Sequence, residues 1–354
     1  MNSQKRFKRL VIKIGSSVFA DAHAKINTKN INKLCGQFAR LKKMGIEVVV
    51  VSSGAVASGM SLLKLKNRPN KISDLQALAS LGQVHLVDLY QQYLTKYSLK
   101  CAQILLTWDD FNIRTRYLNA KNTLLKVLEF GYIPIVNEND VVSTDEIKFG
   151  DNDKLSSLVA VLLEADLLVV LTDVEGLYDK QSRVVNFVER ITKEIESFVK
   201  TKRKKSTVGG MFSKLQAAKI SVDAGISCLV ADGRKKDILL DIVKGKILGT
   251  LFSASTKSLG AKKRWLAFSS KISGRINVDK GAEEALKRHK SLLSVGIVDC
   301  KGSFSKGDSV DIVDTEGNIF AKGIVECSVQ QLNSSMGTRT SREIVHCDNL
   351  VILG

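Results

Sequence analysis

Apolar and polar positions alternate in two rhythms along the first 250 or so residues. Short β-branched runs, "RLVIKI" at 9–14 and "IEVVVVSSG" at 46–54, are the kind of text that a strand buried on both faces of a parallel sheet requires. Between them, Ile31, Leu34, Phe38 and Leu41 recur at helical spacing and Gly45 closes the segment. A helix is predicted at about 73–96, then a strand in "CAQILLT" (101–107), a helix in "NIRTRYLNAKNTLLKVLEFG" (112–131) and a strand in "YIPIV" (132–136). The alternation continues with a helix in "DKLSSLVAVLLEA", a strand in "DLLVVLTD", a helix in "MFSKLQAAKISVDAG" stopped by Gly225, and a strand in "ISCLVAD". Repeated strand–helix units predict an α/β fold with a parallel sheet covered by helices on both faces.

The rhythm changes at "SASTKSLGAKKR" (253–264), which reads as a linker. Beyond it come one short helix, "GAEEALKRHK", and several short strands with turn signals such as Glu316-Gly317. The division expected is therefore 1–255 for the large α/β domain, 256–268 for the linker and 269–354 for a small, mainly β domain.

Composition narrows the class. The chain has 354 residues, a length that suggests about two domains, and 44% hydrophobic residues, an ordinary share for a globular protein. No apolar run reaches the ~18–20 residues that span a bilayer. Lys13 interrupts "LVIKI", which is too short for a signal sequence, so a cytoplasmic location is expected. The six cysteines hold no CxxC pair, which suits a reducing compartment and excludes a local cysteine zinc site. The four histidines form no ligand motif, and no metal ligand is assigned.

The formal charge is +18. Residues 262–354 carry 14 basic and 11 acidic side chains, a net of +3, which leaves +15 to residues 1–261. Against that background "NENDVVSTDEIKFGDNDKLSS" (137–157) concentrates six acids and three asparagines. A solvated acidic loop is the plain explanation, and it suffices for Asp145 and Glu146. A calcium loop would need D-x-[DN]-x-[DN]-G spacing, which is absent.

Ligands of open α/β sheets gather at the carboxyl ends of the strands. Four suggestive loops fall there: "KIGSS", "SSGA", the acidic loop and "TDVEGLY". The P-loop pattern GxxxxGK[ST], GxGxxG and the HRD–DFG pair are all absent. "VGGMFSK" (208–214) enters a helix, and its glycines would let backbone N–H groups approach an anion. Alone it is better read as an ordinary glycine turn before an amphipathic helix.

Together these stretches resemble the amino acid kinase family over nearly the whole chain. The resemblance rests on "VIKIGSS", "VVSSGAVASG", "LLT…DDF…R.RYLNA", "PIVNENDVV…EIKFGDND", "TDVEGLY", "GGM..K..AA" and "GTLF". "NENDVV…GDND" is its most specific element and points to the branch that phosphorylates glutamate on the route to proline. The tail "LLSVGIVDCKGSFSKGDSVDIVDTEGNIFAKGIV" resembles a PUA domain.

The resemblance implies a three-layer α/β fold and transfer of a phosphoryl group from ATP, with Mg²⁺, to the γ-carboxylate of L-glutamate. A carboxylate with a pKa near ~4.3 is already an anion at neutral pH, so no general base is needed. The implied catalytic residues are Lys13 and Lys214. Ser53, Asn137, Asp140 and Asn152 would hold glutamate, with Asp140 first for its ammonium group. Lys13, Gly15, Thr172, Asp173, Val208, Gly209, Gly210, Met211, Phe212, Ser213 and Lys214 would line the ATP side, joined by the backbone at Gly54. Asn137, Asp151 and Asp153 are expected to orient the loop or to touch Mg²⁺ through water. Val208 stands where the family has threonine, which removes a hydroxyl and leaves backbone contacts.

The implied partners are L-glutamate, ATP, proline as feedback inhibitor and further copies of the chain in a dimer or tetramer. The alternative is an RNA-binding PUA protein whose kinase fold senses an amino acid. The tail's low charge and few aromatics (Trp265, Phe268, Phe304 and Phe320) argue against it.

Overall fold

The computed structural model describes residues 7–21, 25–143, 152–200, 210–254, 261–268, 270–336 and 343–353. The chain divides into two compact units: Met1–Asp110 with Tyr117–Ser258, and Leu259–Gly354 with Phe111–Arg116.

The first unit is built on β1 (Arg9–Ile14), β2 (Glu47–Ser52), β3 (Cys101–Leu106), β4 (Ile133–Glu138), β5 (Leu167–Thr172), β6 (Phe187–Val188), β7 (Ser227–Asp232) and β8 (Thr250–Phe252). Their order in the sheet is β3-β4-β2-β1-β5-β7-β8-β6. All neighbours are parallel except β7 and β8. The β-branched runs fill the centre: β4 and β5 are buried at every position. β8 enters from the "GTLF" stretch against the strand direction, and β6 extends the edge beyond it, an arrangement that the alternation did not foretell.

The helices of this part of the chain are α1 (Ser16–Phe19), α2 (Thr28–Lys43), α3 (Ala55–Leu62), α4 (Ile72–Thr95), α5 (Trp108–Asn112), α6 (Arg114–Glu129), α7 (Asp153–Leu163), α8 (Lys193–Lys200), α9 (Met211–Asp223) and α10 (Ile238–Val243). The helix expected at 112–131 is α6, and the short α5 just before it was not expected. Apolar faces of α2 and α4, with Leu34, Phe38, Leu86 and Tyr90, close one core cluster on β1, β2 and β4. α3 and α4 cross at glycines. A Cβ on Gly82 would lie 1.8 Å from the Ala55 carbonyl oxygen, and one on Gly59 2.1 Å from that of Leu78. This close approach sets α3, and the Ser53–Gly54 turn before it, firmly on α4. Gly54 itself has φ of +117°, and a side chain there would strike the Phe19 ring at 2.5 Å.

The second unit opens with α11 (Ala261–Phe268), followed by β9 (Ile272–Val278), α12 (Lys280–Lys287), β10 (Leu292–Leu293), β11 (Ile297–Gly302), β12 (Ser309–Val313), β13 (Ile319–Ile324), α13 (Val329–Ser335), β14 (Glu343–Val345) and β15 (Leu350–Ile352). Its main sheet runs β11-β9-β12-β13-β15. The β12–β13 hairpin turns through Gly317 at φ +85°, as the Glu-Gly signal predicted. Two helices were not foreseen. α11 occupies part of the expected linker 256–268, because Trp265, Leu266 and Ala267 are buried. α13 carries a full capping box between Ser328 and Gln331. The unit also takes in Phe111–Arg116: the Trp265 indole N–H donates to the Phe111 carbonyl at 2.9 Å, and the Arg114 guanidinium lies 5.2 Å from the Trp265 ring centre. Among the described residues no helix is long and apolar enough to cross a membrane.

Candidate active site

Lys13 is the penultimate residue of β1, between Val51 of β2 and Val170 of β5. A lysine at the centre of a parallel sheet must be paired or lose its charge. Its side chain is 3% exposed, and its Nζ lies 2.7 Å from Oδ1 of Asp153. Asp153, the first residue of α7, is wholly buried. Its other oxygen, Oδ2, takes Nζ of Lys214 at 3.1 Å and the Ser213 hydroxyl at 3.0 Å. Lys214 and Ser213 come from the first turn of α9, behind Gly210. Three separate elements thus meet on one carboxylate, which holds two ammonium groups at one point of the strand ends. Such charge-assisted contacts are stronger than neutral hydrogen bonds.

The preceding residue, Asn152, is also wholly buried and faces the other way. Its Nδ2 donates to the Asn137 Oδ1 at 2.7 Å, the Ser52 carbonyl at 3.1 Å and the Ser53 hydroxyl at 3.3 Å. Asn137, near the end of β4, donates in turn to Gln83 Oε1 of α4 at 2.8 Å. Ser52 is fixed from behind by the buried Tyr90 hydroxyl at 2.9 Å. One peptide bond, Asn152–Asp153, therefore joins an amide cluster to a lysine cluster.

Asp140 lies just beyond β4 and is 7% exposed, and its Oδ1 has no hydrogen-bond partner among the described residues. Burial, reinforced by the nearby Glu138 carboxylate and opposed by Arg68, pushes its carboxyl up to about 7. Asn152 Oδ1 and Gln83 Nε2 are likewise buried without a described partner. Buried polar atoms are nearly always satisfied, so these atoms, two of them on one amide network, are where a ligand would complete the bonding.

On the other side of β1, Thr172 ends β5 and its hydroxyl donates to the carboxylate of exposed Asp173 at 3.1 Å. Arg234, beyond β7, donates to the Asp173 carbonyl at 2.6 Å and grips Asp232 through two nitrogens at 2.9 Å. Gly15 packs against β5: its N–H donates to the Leu171 carbonyl at 3.0 Å, and a Cβ would come within 3.1 Å of that oxygen. Met211 is half-buried and Phe212 exposed at the start of α9. Val208, Gly209 and Asp151 lie outside the described residues.

The candidate site residues in the described part thus fall at the carboxyl edge of the sheet or at the helix starts beside it. Asp153 differs from expectation: it binds the two lysines directly, where an orienting or metal-facing part was expected. Gln83 and Arg234 were not anticipated. Gln83 is the polar residue that breaks the buried α4 face of Leu75, Leu78, Ala79, Gly82 and Leu86, and that break was readable. Within the second unit His346, Cys347 and Asp348 offer ligand atoms within 4.8 Å of one another, a cluster that the spacing of histidines and cysteines had not suggested. The Asp348 N–H already donates to His346 Nδ1 at 3.1 Å.

A doubly anchored ammonium pair at the strand ends, next to buried unpaired amides, defines an α/β enzyme that handles anionic groups. The chain belongs to the amino acid kinase family, which it matches over residues 8–232, and it matches the PUA domain over residues 274–347. It is 39% identical to the "Glutamate 5-kinase" of Thermoanaerobacter pseudethanolicus, over 98% of each chain. It is 41% identical to those of Citrifermentans bemidjiense, over 99% of this chain and 98% of that one, and of Nitrosospira multiformis, over 99% of each.

Proposed function

We propose that this chain catalyses ATP-dependent phosphorylation of the γ-carboxylate of L-glutamate to L-glutamyl 5-phosphate, the first step of proline biosynthesis from glutamate. The observation that carries it is the Asn152–Asp153 junction, one peptide bond that joins a buried amide network with unmet polar atoms to a carboxylate that holds two lysines. Lys13 and Lys214 stabilise the charge that moves from the transferring phosphoryl group to ADP. Ser53, Asn137, Asp140 and Asn152 hold glutamate. Gly15, Thr172, Asp173 and the start of α9 line the nucleotide side. Mg²⁺ enters as part of the MgATP substrate. Mg²⁺ would screen the phosphate charge there; Asp153, engaged by the two lysines, would act on it only indirectly, and Asp151 would meet it through water. A cytoplasmic location, inhibition by proline and assembly with further copies of the chain belong to the same reading. Leu81, Val84, Val141 and Val142 form exposed apolar positions suited to such assembly.

The test is an ATP/Mg²⁺ assay across glutamate, N-acetylglutamate, aspartate and UMP, with hydroxylamine to trap an acyl phosphate. Glutamate should be preferred, because a buried carboxylate at 140 suits a free ammonium and not an acetylated one. Equal or greater turnover of N-acetylglutamate would sink the reading.

Asp140 gives this a pH signature. Burial pushes its carboxyl up to about 7, and only the ionised form attracts an ammonium group. KM for glutamate should therefore be lowest above pH 7 and climb as pH falls through that value. The climb should approach about tenfold per unit well below it. Asp140→Asn should raise KM and flatten the profile between pH 5.5 and 8, leaving KM for ATP in place. A wild-type KM that is level over this range would count against Asp140 as the ammonium contact.

The division of 1–255 from 269–354 is part of the same proposal, with α11 counted to the second unit and the tail as a structural or regulatory appendage. Trp265, Phe304 and Phe320 are buried at 5%, 3% and 8% exposure and offer no stacking platform for bases. A chain ending at Ser258 keeps every site residue named above and should phosphorylate glutamate with kcat/KM comparable to the full chain. It also strips Phe111–Arg116 of the Trp265 ring, so lower solubility is expected. A folded truncated protein without turnover would overturn the division.

A further inference from the structure

The buried amides of the site form a chain whose polarity is fixed. The Ser52 carbonyl can only accept, so the Asn152 atom facing it at 3.1 Å must be Nδ2. The same nitrogen faces Asn137 at 2.7 Å, so Asn137 turns its oxygen there and its Nδ2 towards Gln83 at 2.8 Å. Gln83 must then accept with Oε1. Its Nε2 is left at the end of the chain, buried and without an acceptor among the described residues. At the other end Asn152 Oδ1 is left, an unpaired acceptor. The amide chain thus presents one unmet donor and one unmet acceptor, and the buried Asp140 just beyond β4 adds a second acceptor without a described partner. An α-amino acid head group offers the reverse: a carboxylate that accepts and an ammonium that donates.

Taking glutamate as the substrate, we propose that Gln83 is a further substrate-contacting and specificity-determining residue whose Nε2 donates to the substrate's α-carboxylate. Gln83 is 8% exposed and sits on the buried face of α4, locked by the glycine crossing of α3 and α4, so its amide is pre-oriented. A buried donor left unmet penalises any substrate that lacks an acceptor at that position. A carboxamide oxygen can accept from the same N–H, but the bond to a carboxylate is charge-assisted and stronger, so the contact favours amino acids with a free α-carboxylate and leaves the γ-carboxylate to face the transferring phosphoryl group.

The test compares glutamate with L-isoglutamine, which carries a carboxamide in place of the α-carboxylate. Gln83→Glu keeps the side-chain length and an oxygen for the Asn137 N–H, but sets a carboxylate where the donor was. KM for glutamate should rise roughly tenfold to a hundredfold, the range for a hydrogen bond to a charged group. KM for isoglutamine should change far less, because its amide N–H₂ can donate to the new carboxylate, and KM for ATP should stay. Gln83→Met, which adds no charge, should likewise lose the preference for glutamate over isoglutamine. If both variants shift the two KM values by the same factor, or shift neither, Gln83 only shapes the pocket and the proposal falls. Wild-type protein that fails to phosphorylate glutamate would overturn the substrate assignment as well; wild-type activity with parallel shifts overturns the Gln83 role alone.

Discussion

Lys214→Ala lowers kcat about 10²–10³-fold, the usual loss when one group that stabilises transition-state charge is removed. KM for glutamate changes little, because the amide cluster that holds the amino acid is anchored on β2, β4 and α4 and makes no use of Lys214. The reason for a kcat effect is the timing of charge. The ammonium gains most from the phosphoryl oxygens as the bond to ADP breaks, so its loss is felt more in the transition state than in the bound ground state. Asp153 keeps Lys13 as a partner in this variant, and the site should not collapse. Lys214→Arg restores a positive charge but brings a planar fork where a compact ammonium sat between Asp153 and the strand ends, so it should recover activity in part. Steady-state kinetics on the three proteins decide the matter. A Lys214→Ala enzyme with wild-type kcat removes this lysine from the chemistry.

The parts of the fold that could be read in the chain are those in which local pattern and global burial agree. β1, β2, β4 and β5 read as strands because a fully buried parallel strand needs a continuous β-branched run. Once they were parallel, the gathering of Lys13, Ser53, Asp140 and Thr172 at one edge followed from topology. The misreadings have local causes. "SASTKSLGAKKR" has linker composition, yet α11 forms at its end because Trp265 finds a buried place and a carbonyl for its indole N–H. α13 was signalled by Ser328 and Gln331, a capping box that the turn-rich surroundings hid. Asp153 was legible as a residue but not as a role. An acid in the first turn of a helix is ordinary on dipole grounds, and nothing in spacing tells that residues 13 and 214 close on it. Gln83 lies 54 positions from Asn137, so their hydrogen bond appears only in three dimensions.

Asp153→Asn is expected to damage both stability and catalysis, and the two losses can be separated. In the native site a buried carboxylate holds one ammonium at 2.7 Å and another at 3.1 Å. Asparagine has nearly the same shape, but it removes the negative charge and leaves two lysines with 3% and 7% exposed side chains side by side. Removing one partner from a buried ion cluster typically costs about 3–5 kcal/mol, since charge is left uncompensated. At about 2–4 °C per kcal/mol for a unit of this size, Tm should fall by roughly 6–20 °C. The same repulsion should make the variant unusually responsive to anions. MgATP, whose phosphates take over the compensating charge, should raise the variant's Tm by more than it raises that of the wild type, because a ligand stabilises in proportion to its preference for the folded site. kcat should drop at least as far as in Lys214→Ala, since both lysines lose the anchor that sets their position. The measurement is paired melting curves with and without MgATP, followed by kinetics at a temperature where both proteins are folded. A variant with unchanged Tm and unchanged kcat would show that the carboxylate neither holds the lysines together nor aligns them.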